Sequence, residues 1–416
     1  MRRLLIAALV LLAFGAGLLP AQAGTPHTEV VSDDPADFTP HVRNGIVYAM
    51  TVIGDTVVVG GDFGTVTEAD GSGTLRQPYL FAFHRTTGQI DRSFQPALDG
   101  PVRALAPGDG GTVYAGGYFD TVNGTRQPAL ARLQLSDGAL HGAIEAPLGG
   151  EVRTLARSGS YLYAGGGFGY LGDRRHAVLA RLDVRTDRWD TGFDLGVAGA
   201  GSARLRIEHL TTSRDGTRLA IDGTFTRLAG LARHHIALVD IGASPARVAP
   251  WATDAFREPC SGRFDTYLRD VDFAPDGSYF VVVTTGRLTG PDKLCDAALR
   301  FETADGTGQL PTWVNKTGGN TLFSVVVTGA AVYVGGHQRW LDNPEADHEA
   351  GPGAVRREGI GAIHPESGKA LSWNPTRTRG VGVQCLVSTP DGLWVGSDTD
   401  ELGHEYHGRV GLFPLT

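Results

Sequence analysis

Cysteine, lysine and long apolar runs are scarce in this 416-residue chain. It has three cysteines, and lysine occurs only at Lys293, Lys316 and Lys369. Beyond residues 4–19 no segment is long and apolar enough to cross a bilayer, so a multi-span membrane protein is excluded. The sequence also lacks a G-x-S-x-G elbow, a P-loop, an H-E-x-x-H pair and a catalytic-cysteine signature. No stretch shows helical periodicity, which leaves a fold built from strands.

The N-terminus has the three parts of a secretory signal peptide. Arg2 and Arg3 form a basic n-region, residues 4–19 an apolar h-region, and the small-x-small sequence AQA ends at Ala23. We therefore expect a signal peptide over residues 1–23, a lead-in over residues 24–35 and a secreted product. A lipoprotein would need a cysteine at the cleavage site, and a retained membrane anchor is the competing interpretation.

The charge of the chain is acidic. The net charge is −8, and the loss of Arg2 and Arg3 with the signal peptide changes it to −10. This balance argues against nucleic acid and against anionic membranes as partners. The expected partner is an extracellular glycan or protein, with no membrane insertion after signal cleavage, and the expected state is a monomer.

Glycine, in contrast, is abundant, with 59 residues that recur between β-branched runs. Aligning the double glycines or their equivalents gives seven anchors at spacings of 49 to 63 residues, namely Gly60, Gly116, Gly165, Asp222, Thr285, Gly335 and Val395. A period of this length is typical of propeller blades. The second repeat shows the internal plan, because PVRALAP, TVYAGGYF, PALARLQL and GAIEAPL read as four strands joined by turns.

These repeats predict an all-β fold, a single seven-bladed β-propeller of four-stranded antiparallel blades over residues 36–416. The last repeat lacks a fourth strand after Gly380. The segment FTPHVRNG at residues 38–45 has the form of WNPTRTRG at residues 373–380, and we expect it to supply that strand. Such a closure would remove an exposed sheet edge and hold both termini.

The repeat also resembles a known family. The pattern V-x-A-L-A…V-Y-x-G-G-x-F…V-N-G…R-x-x-L-A-R-L, strongest in the first three repeats, is similar to the delta-60 type β-propeller repeat of secreted bacterial proteins. The resemblance covers nearly all of residues 36–416, although the fourth, fifth and seventh repeats lack the double glycine. It implies a secreted propeller and carries no catalytic motif.

The cysteines suggest one disulfide in an oxidising compartment. Cys260 falls in the link that enters blade 5 and Cys295 in the loop between the second and third strands of that blade. Both loops belong to one face of a propeller, so we predict that these two cysteines pair. Cys385 lies inside a predicted strand and reads as a small buried residue.

The first candidate site is HQRW in blade 6, where a double glycine is followed by residues found at no other anchor. His337, Gln338, Arg339 and Trp340 could form a sugar-stacking platform with polar neighbours. The structural alternative is that Trp340 folds down and caps the blade. A weaker cluster in blade 7, Asp398, Asp400, Glu401 and His404, offers ligands for a divalent cation, and a solvated acidic loop is its alternative.

A third candidate lies on the innermost strands. One aligned position carries Tyr48, Arg103, Arg153, Glu208, Arg269, Phe323 and Gln384. Arg103, Arg153 and Arg269 could bind an anion such as a carboxylated sugar near the channel. In the structural interpretation, Asp265, Asp270 and Asp272 neutralise these arginines within a network between blades.

Together these observations favour a secreted, non-enzymatic propeller that binds a glycan or a protein on the loop-bearing face of blades 6 and 7. No cofactor is expected beyond a divalent cation. One alternative is an exported lyase, hydrolase or metal-dependent oxidase with a site around His337, Asp398 and His404. A purely structural role is another.

Overall fold

The chain is built from short antiparallel strands. The computed structural model describes residues 24–176, 178–199, 204–260, 268–286 and 293–415; the predicted signal peptide and Asp265 lie outside these ranges. The described residues form strands and turns without a helix, so no helix among them could span a membrane.

The strands fall into seven successive units. The first contains β1 (His41–Val42), β2 (Ile46–Ile53), β3 (Thr56–Asp62), β4 (Thr65–Thr67), β5 (Leu75–Arg76) and β6 (Leu80–His84). The second contains β7 (Val102–Pro107), β8 (Thr112–Gly117), β9 (Thr121–Val122), β10 (Thr125–Arg126) and β11 (Leu130–Gln134). The third contains β12 (Val152–Ser158), β13 (Tyr161–Gly166), β14 (Tyr170–Leu171), β15 (Arg174–Arg175), β16 (Leu179–Asp183) and β17 (Arg188–Trp189).

The remaining units follow the same plan. The fourth contains β18 (Ile207–Thr212), β19 (Arg218–Gly223), β20 (Arg227–Leu228), β21 (Leu231–Ala232), β22 (Ile236–Asp240) and β23 (Arg247–Val248). The fifth contains β24 (Leu268–Phe273), β25 (Tyr279–Thr284), β26 (Ala297–Glu302) and β27 (Trp313–Lys316). The sixth contains β28 (Leu322–Val327), β29 (Val332–Gly336), β30 (Trp340–Leu341), β31 (Val355–Arg356) and β32 (Ile360–Ile363). The seventh contains β33 (Cys385–Thr389), β34 (Gly392–Gly396), β35 (Glu401–Leu402), β36 (Glu405–Tyr406) and β37 (Val410–Pro414).

Each unit has one main antiparallel sheet. The sheets are β2-β3-β6, β7-β8-β11, β12-β13-β16-β17, β18-β19-β22-β23, β24-β25-β26-β27, β28-β29-β32 and β33-β34-β37. A regular fourth strand is present in the third, fourth and fifth units. In the first, second and sixth units the edge is reduced to a single bridge, such as Phe83 with Ile90. The four-strand plan is therefore fully formed in only part of the described chain.

The loops between the second and third main strands are more regular than their varied sequences suggest. In five units they form two-stranded ribbons, namely β9-β10, β14-β15, β20-β21, β30-β31 and β35-β36, and in the first unit β4 pairs with both β5 and β1. Bridges such as Leu98 with Val122 attach the ribbons to the link that enters the same unit. This face is thus a rigid platform.

The double glycine allows neighbouring sheets to approach closely. A Cβ at Gly60 would lie 2.6 Å from Val102 Cγ1 of the next sheet, and one at Gly61 would lie 2.1 Å from the Ile46 carbonyl oxygen. The pairing also corrects two predicted anchors. Asp270 pairs with Val283 and Cys385 with Gly396, whereas in the first unit Ala49 pairs with Gly60. Val283 and Gly396 are therefore the positions equivalent to Gly60, in place of the predicted Thr285 and Val395. The sequence alignment missed them because these two repeats lack the double glycine.

The hydrophobic core is divided into seven clusters, each between two successive sheets. One cluster joins Trp394 and Leu412 of the last unit to Val57 and Phe81 of the first. The lead-in supplies further contacts at this junction. The Ser32 and Ala36 amides donate hydrogen bonds to the Pro414 and Leu412 carbonyls, both at 2.8 Å.

The predicted outer strand of the last unit was placed at residues 38–45, and this position is wrong in detail. The backbone hydrogen bonds to β37 come from Ser32 and Ala36, upstream of that segment. His41 and Val42 instead pair with Thr67 and Val66 of β4. The chain runs along the edge of β37 at residues 32–36 and then continues as β1 into the ribbon of the first unit.

The predicted disulfide between Cys260 and Cys295 is confirmed, with a Cα–Cα distance of 5.9 Å. Both cysteines are buried and belong to one hydrophobic cluster of the fourth and fifth units. Cys385 is a free, half-buried cysteine that lines the central cavity, and burial raises the pKa of its thiol to about 12. It is therefore a poor nucleophile at neutral pH.

Candidate functional site

A β-bulge recurs in the first strands and brings seven side chains to one cavity. In six units the register shifts between two consecutive pairs, as between Val47 and Ala49 in β2. A bulge of this kind re-aims a side chain. The residues at these shifts, with one equivalent before β33, line a central cavity of about 600 Å³ and are here called the bulge ring: Tyr48, Arg103, Arg153, Glu208, Arg269, Phe323 and Gln384. The position aligned in the sequence is thus one spatial ring.

Two carboxylates connect the arginines across neighbouring sheets. Glu151 lies 3.6 Å from Arg103 Nε and 3.1 Å from Arg153 Nη1. Glu208 lies 2.9 Å from Arg153 Nε and 2.5 Å from Arg206 Nε. Burial alone would raise the pKa of Glu208, but Arg153 and Arg206 outweigh burial and its pKa is lowered. Glu208 is therefore a carboxylate at neutral pH.

Arg103 is the most accessible cation of this network. Its side chain is 32% exposed, and its guanidinium lies 4.0 Å from the centroid of the Tyr48 ring. Nearby, Tyr118 is 67% exposed and its amide donates to the Pro101 carbonyl at 3.0 Å. The stacked Tyr48 ring and Arg103 guanidinium form a surface suited to a planar anion.

Arg269 is the third arginine of the bulge ring. Burial lowers its pKa, and the nearby Glu208 acts in the opposite direction. Within the described residues, the bulge ring and its ion-pair partners thus carry four guanidinium groups and two carboxylates.

The expected neutralising aspartates have other partners, which corrects the sequence-based interpretation. Asp270 Oδ1 lies 2.7 Å from His209 Nδ1 and its Oδ2 accepts the Val325 amide at 2.9 Å. Asp272 Oδ2 accepts the Val327 amide at 2.8 Å. The third residue, Asp265, lies outside the described residues. Glu151 and Glu208 supply the ion pairs instead, because Asp270 and Asp272 face backbone amides of the next sheet.

Below the bulge ring lies a histidine–aspartate cluster in which Asp222, Asp270 and Asp272 are buried and His209 is half-buried. Asp222 accepts the His209 amide through Oδ1 at 3.0 Å, and its Oδ2 has no hydrogen-bond partner. Burial lowers the pKa of His209, but Asp270 outweighs burial and raises it to about 9. Burial raises the pKa of Asp222 to about 8, against the opposing effect of His209. The cluster thus holds protons near neutral pH.

The HQRW segment does not converge on one ligand site. His337 Nδ1 lies 2.7 Å from the Gly380 carbonyl, which attaches it to the next link. Gln338 is fully buried with both amide atoms unpartnered, at the position that Phe63 has in the first unit. Trp340 is half-buried in β30, paired with Arg356, and the Arg339 guanidinium lies 5.8 Å from its ring centroid. These side chains point in different directions from one strand end.

The candidate cation ligands of the seventh unit are likewise dispersed. Asp398 accepts from the Val381 and Gly382 amides at 2.5 and 3.0 Å and pairs with Arg377 at 3.2 Å. Glu401 accepts the Thr378 hydroxyl at 2.5 Å, while His404 contacts Thr376 at 3.3 Å. Asp400 is exposed and its carbonyl accepts the His407 amide. In the described ranges no three histidine, cysteine or acidic side chains form a metal-binding group.

Sequence reasoning missed Glu151 and Arg206 as members of the network. Each lies two residues before a member of the bulge ring, Arg153 and Glu208 respectively. Residues i and i+2 share one face of a strand, so this spacing could have identified both.

Comparison with known proteins supports the fold alone. No family model matches the chain, and no curated protein matches it. Among solved structures, the β-propeller domain of Cps50 (Swd1) from Myceliophteria thermophila superposes with a TM-score of 0.50 at 12% identity, covering 91% of this chain and 99% of that one. The computationally designed Ika8 protein gives a TM-score of 0.48 at 13% identity, covering 94% and 100%. The chain therefore has a β-propeller fold.

Proposed function

We propose that this chain is a non-enzymatic binding protein that recognises a carboxylated glycan at the bulge ring. The observation that carries the proposal is the convergence of Arg103, Arg153 and Arg269, from three different sheets, on one cavity of about 600 Å³. This volume is in the usual range of small-molecule sites, roughly 300–1,000 Å³. The predicted site on blades 6 and 7 remains a separate prediction.

Charge favours an anionic ligand. Three arginines, Arg103, Arg153 and Arg269, line one cavity, whereas the whole chain carries a net charge of −8. A local positive site in an acidic protein attracts small anions while the rest of the surface repels large polyanions. A guanidinium and a carboxylate can share two parallel hydrogen bonds, which gives orientation as well as affinity.

Aromatic side chains favour a sugar as the carrier of that carboxylate. Tyr48 lies under Arg103, and both line the central cavity. Tyrosine offers an apolar face to the C–H side of a pyranose and a hydroxyl to its rim. The alternative enzyme site has no supporting geometry, since His337, Asp398 and His404 each hold separate local contacts.

We infer further that the propeller has seven blades and that its ring is closed by the lead-in. Seven main sheets and seven clusters between sheets support the number. The hydrogen bonds of Ser32 and Ala36 to β37 support the closure. The resemblance to delta-60 repeats and the sequence of residues 1–23 support a secreted protein, and a disulfide suits that compartment.

The test is calorimetric titration of the mature protein with glucuronate and galacturonate oligosaccharides, with neutral glucose oligomers as the ligand control. Arg103→Ala is the best variant, because the ion pair of Arg103 with Glu151 is 3.6 Å long and Glu151 keeps Arg153 as a partner when Arg103 is removed. We expect it to weaken binding roughly tenfold to a hundredfold at an unchanged melting temperature. Arg185→Ala, an exposed arginine after β16, is the matched control and should bind as wild type.

Trp340→Ala separates the two candidate sites. Binding lost in Trp340→Ala but kept in Arg103→Ala would move the site to blade 6 and contradict the proposal. Equal binding of neutral and carboxylated sugars would contradict the role of charge.

A further inference from the structure

Gly24, the first residue after the predicted cleavage site, lies at the far end of the central cavity. It is buried, and together with Thr25 it lines the cavity opposite the bulge ring. His27 holds the segment in place, since its amide donates to the Thr328 carbonyl at 2.9 Å and its Nε2 lies 2.9 Å from the Thr389 carbonyl. The lead-in therefore enters the propeller between the sixth and seventh sheets.

The space around Gly24 is a cradle of three acceptors. A Cβ built on Gly24 would lie 2.8 Å from the Val327 carbonyl oxygen, 3.1 Å from Ser388 Oγ and 3.3 Å from Asp272 Oδ2. These contacts leave no room for a side chain. Ser388 is buried, and its hydroxyl has no hydrogen-bond partner. Three oxygens thus surround Gly24, and one of them belongs to a hydroxyl without a hydrogen-bond partner.

Asp272 lacks a cationic partner of its own among the groups that act on it. Its described partners are the Val327 amide and the Thr211 hydroxyl, and its charged neighbours are Asp270 and His209. His209 is already paired with Asp270 at 2.7 Å. Burial raises the pKa of Asp272 to about 7. An added cation would stabilise the carboxylate form.

We propose that cleavage between Ala23 and Gly24 creates an α-ammonium group that binds in this cradle, forms an ion pair with Asp272 and closes the far end of the cavity. The step is hydrolysis by a signal peptidase: water adds across the peptide bond, Ala23 leaves as a carboxylate, and the Gly24 amine takes up a proton. An ammonium has three donors for the three acceptors, whereas the uncleaved peptide has one neutral N–H. The inference rests on the proposed export of the protein.

Amine reactivity of the exported, mature protein tests the proposal. Acylating reagents attack the unprotonated amine, and an exposed α-amine has an ordinary pKa of about 7.7–8.0. We expect the Gly24 amine to react at pH 7 at least tenfold more slowly than that of a free peptide beginning GTPHTE. Only three lysines compete, so peptide mapping resolves the N-terminus.

Asp272→Asn should restore fast labelling and lower the melting temperature by a few degrees. Asp391→Asn, which removes a 3.1 Å ion pair with Arg85 at the same end, is the matched control and should leave the labelling slow. If Asp272→Asn does not fold, one alanine added before Gly24 displaces the ammonium without changing Asp272. That form should also label fast and melt lower.

The intact mass of the secreted protein distinguishes a failure of the predicted cleavage from a failure of the proposed cradle. A secreted chain that begins elsewhere than Gly24 would overturn both the predicted cleavage and the cradle. A chain that begins at Gly24 but labels as fast as the free peptide would overturn the cradle and leave secretion intact. Slow labelling that persists in Asp272→Asn would overturn the ion pair.

Discussion

At the scale of single residues, a few charged side chains around the central cavity have their partners on different sheets. His209 of β18 pairs with Asp270 of β24, and Asp270 in turn accepts the amide of Val325 in β28. One ion pair thus links the first strands of three consecutive sheets. Removing either partner would leave a buried charge unpaired, which is more costly than the pair is stabilising.

This pair predicts a pH dependence. Asp270 raises the pKa of His209 to about 9 despite burial, and Asp222 and Asp272 face the same imidazole. Because the folded pKa lies above the ordinary 6.5, the pair stabilises fully below about pH 6.5, and this contribution is lost as pH rises to 9. The raised pKa values of Asp222 and Asp272 act in the same direction. The free energy of unfolding, measured in urea, should therefore fall between pH 6.5 and 9.

Histidine ring NMR checks the cause. One imidazole should remain charged at pH 8 in the wild type and titrate near or below the ordinary range in Asp270→Asn. A wild-type protein in which every histidine is neutral at pH 8, with stability unchanged from pH 6.5 to 9, would contradict this account.

At the scale of secondary-structure elements, a positive φ recurs at one position that no residue type marks in the sequence. The residue immediately before the third main strand has a positive φ in every unit: Tyr79, Ala129, Val178, His235, Asp296, Gly359 and Arg409. Six of these are not glycine, so residue type does not explain the conformation. A left-handed conformation costs a non-glycine residue roughly 1–2 kcal/mol.

Glycine substitution at one of these positions should therefore behave unusually. Ala129 has a φ of 65° and Ala131, two residues later in β11, has an ordinary strand conformation; both are fully buried. Ala131→Gly should destabilise by about 1 kcal/mol, whereas in Ala129→Gly the relief of strain offsets the same loss. Chemical denaturation measures the difference. An equal loss in both variants would refute the strain at Ala129.

A structural feature could be predicted from the sequence where it requires a particular residue type, and not where it does not. The strands and the spacing were predictable because Gly60 and its equivalents must let a neighbouring sheet approach, and that need appears as a repeated residue type. The positive-φ position has no such signature. The bulge ring was found by alignment, but its ion-pair partners were assigned to Asp270 and Asp272 because strand pairing alone does not show which face meets the next sheet.

Gln338 illustrates a second limit. The sequence singled it out as a polar residue in a candidate ligand site, yet it is fully buried where Phe63 packs in the first unit. Its neighbours His337 and Trp340 lie at different depths of the same loop. The residue types showed that this repeat differs from the others, but they did not show that Gln338 is buried.

At the scale of the whole molecule, the central cavity has two unlike ends. The bulge ring presents arginines at one end, and the lead-in occupies the other. Among the described residues each core cluster joins two neighbouring sheets, and one cluster joins the last sheet to the first. The proposed ligand would therefore enter the cavity at the end that carries the arginines.

The most direct test of this central claim is a crystal structure of the mature protein grown with a glucuronate-containing disaccharide. We predict a closed ring of seven blades with the sugar carboxylate between Arg103 and Arg153 and a pyranose face on Tyr48. A disaccharide bound instead at Trp340, or a cavity that stays empty at saturating ligand, would contradict it.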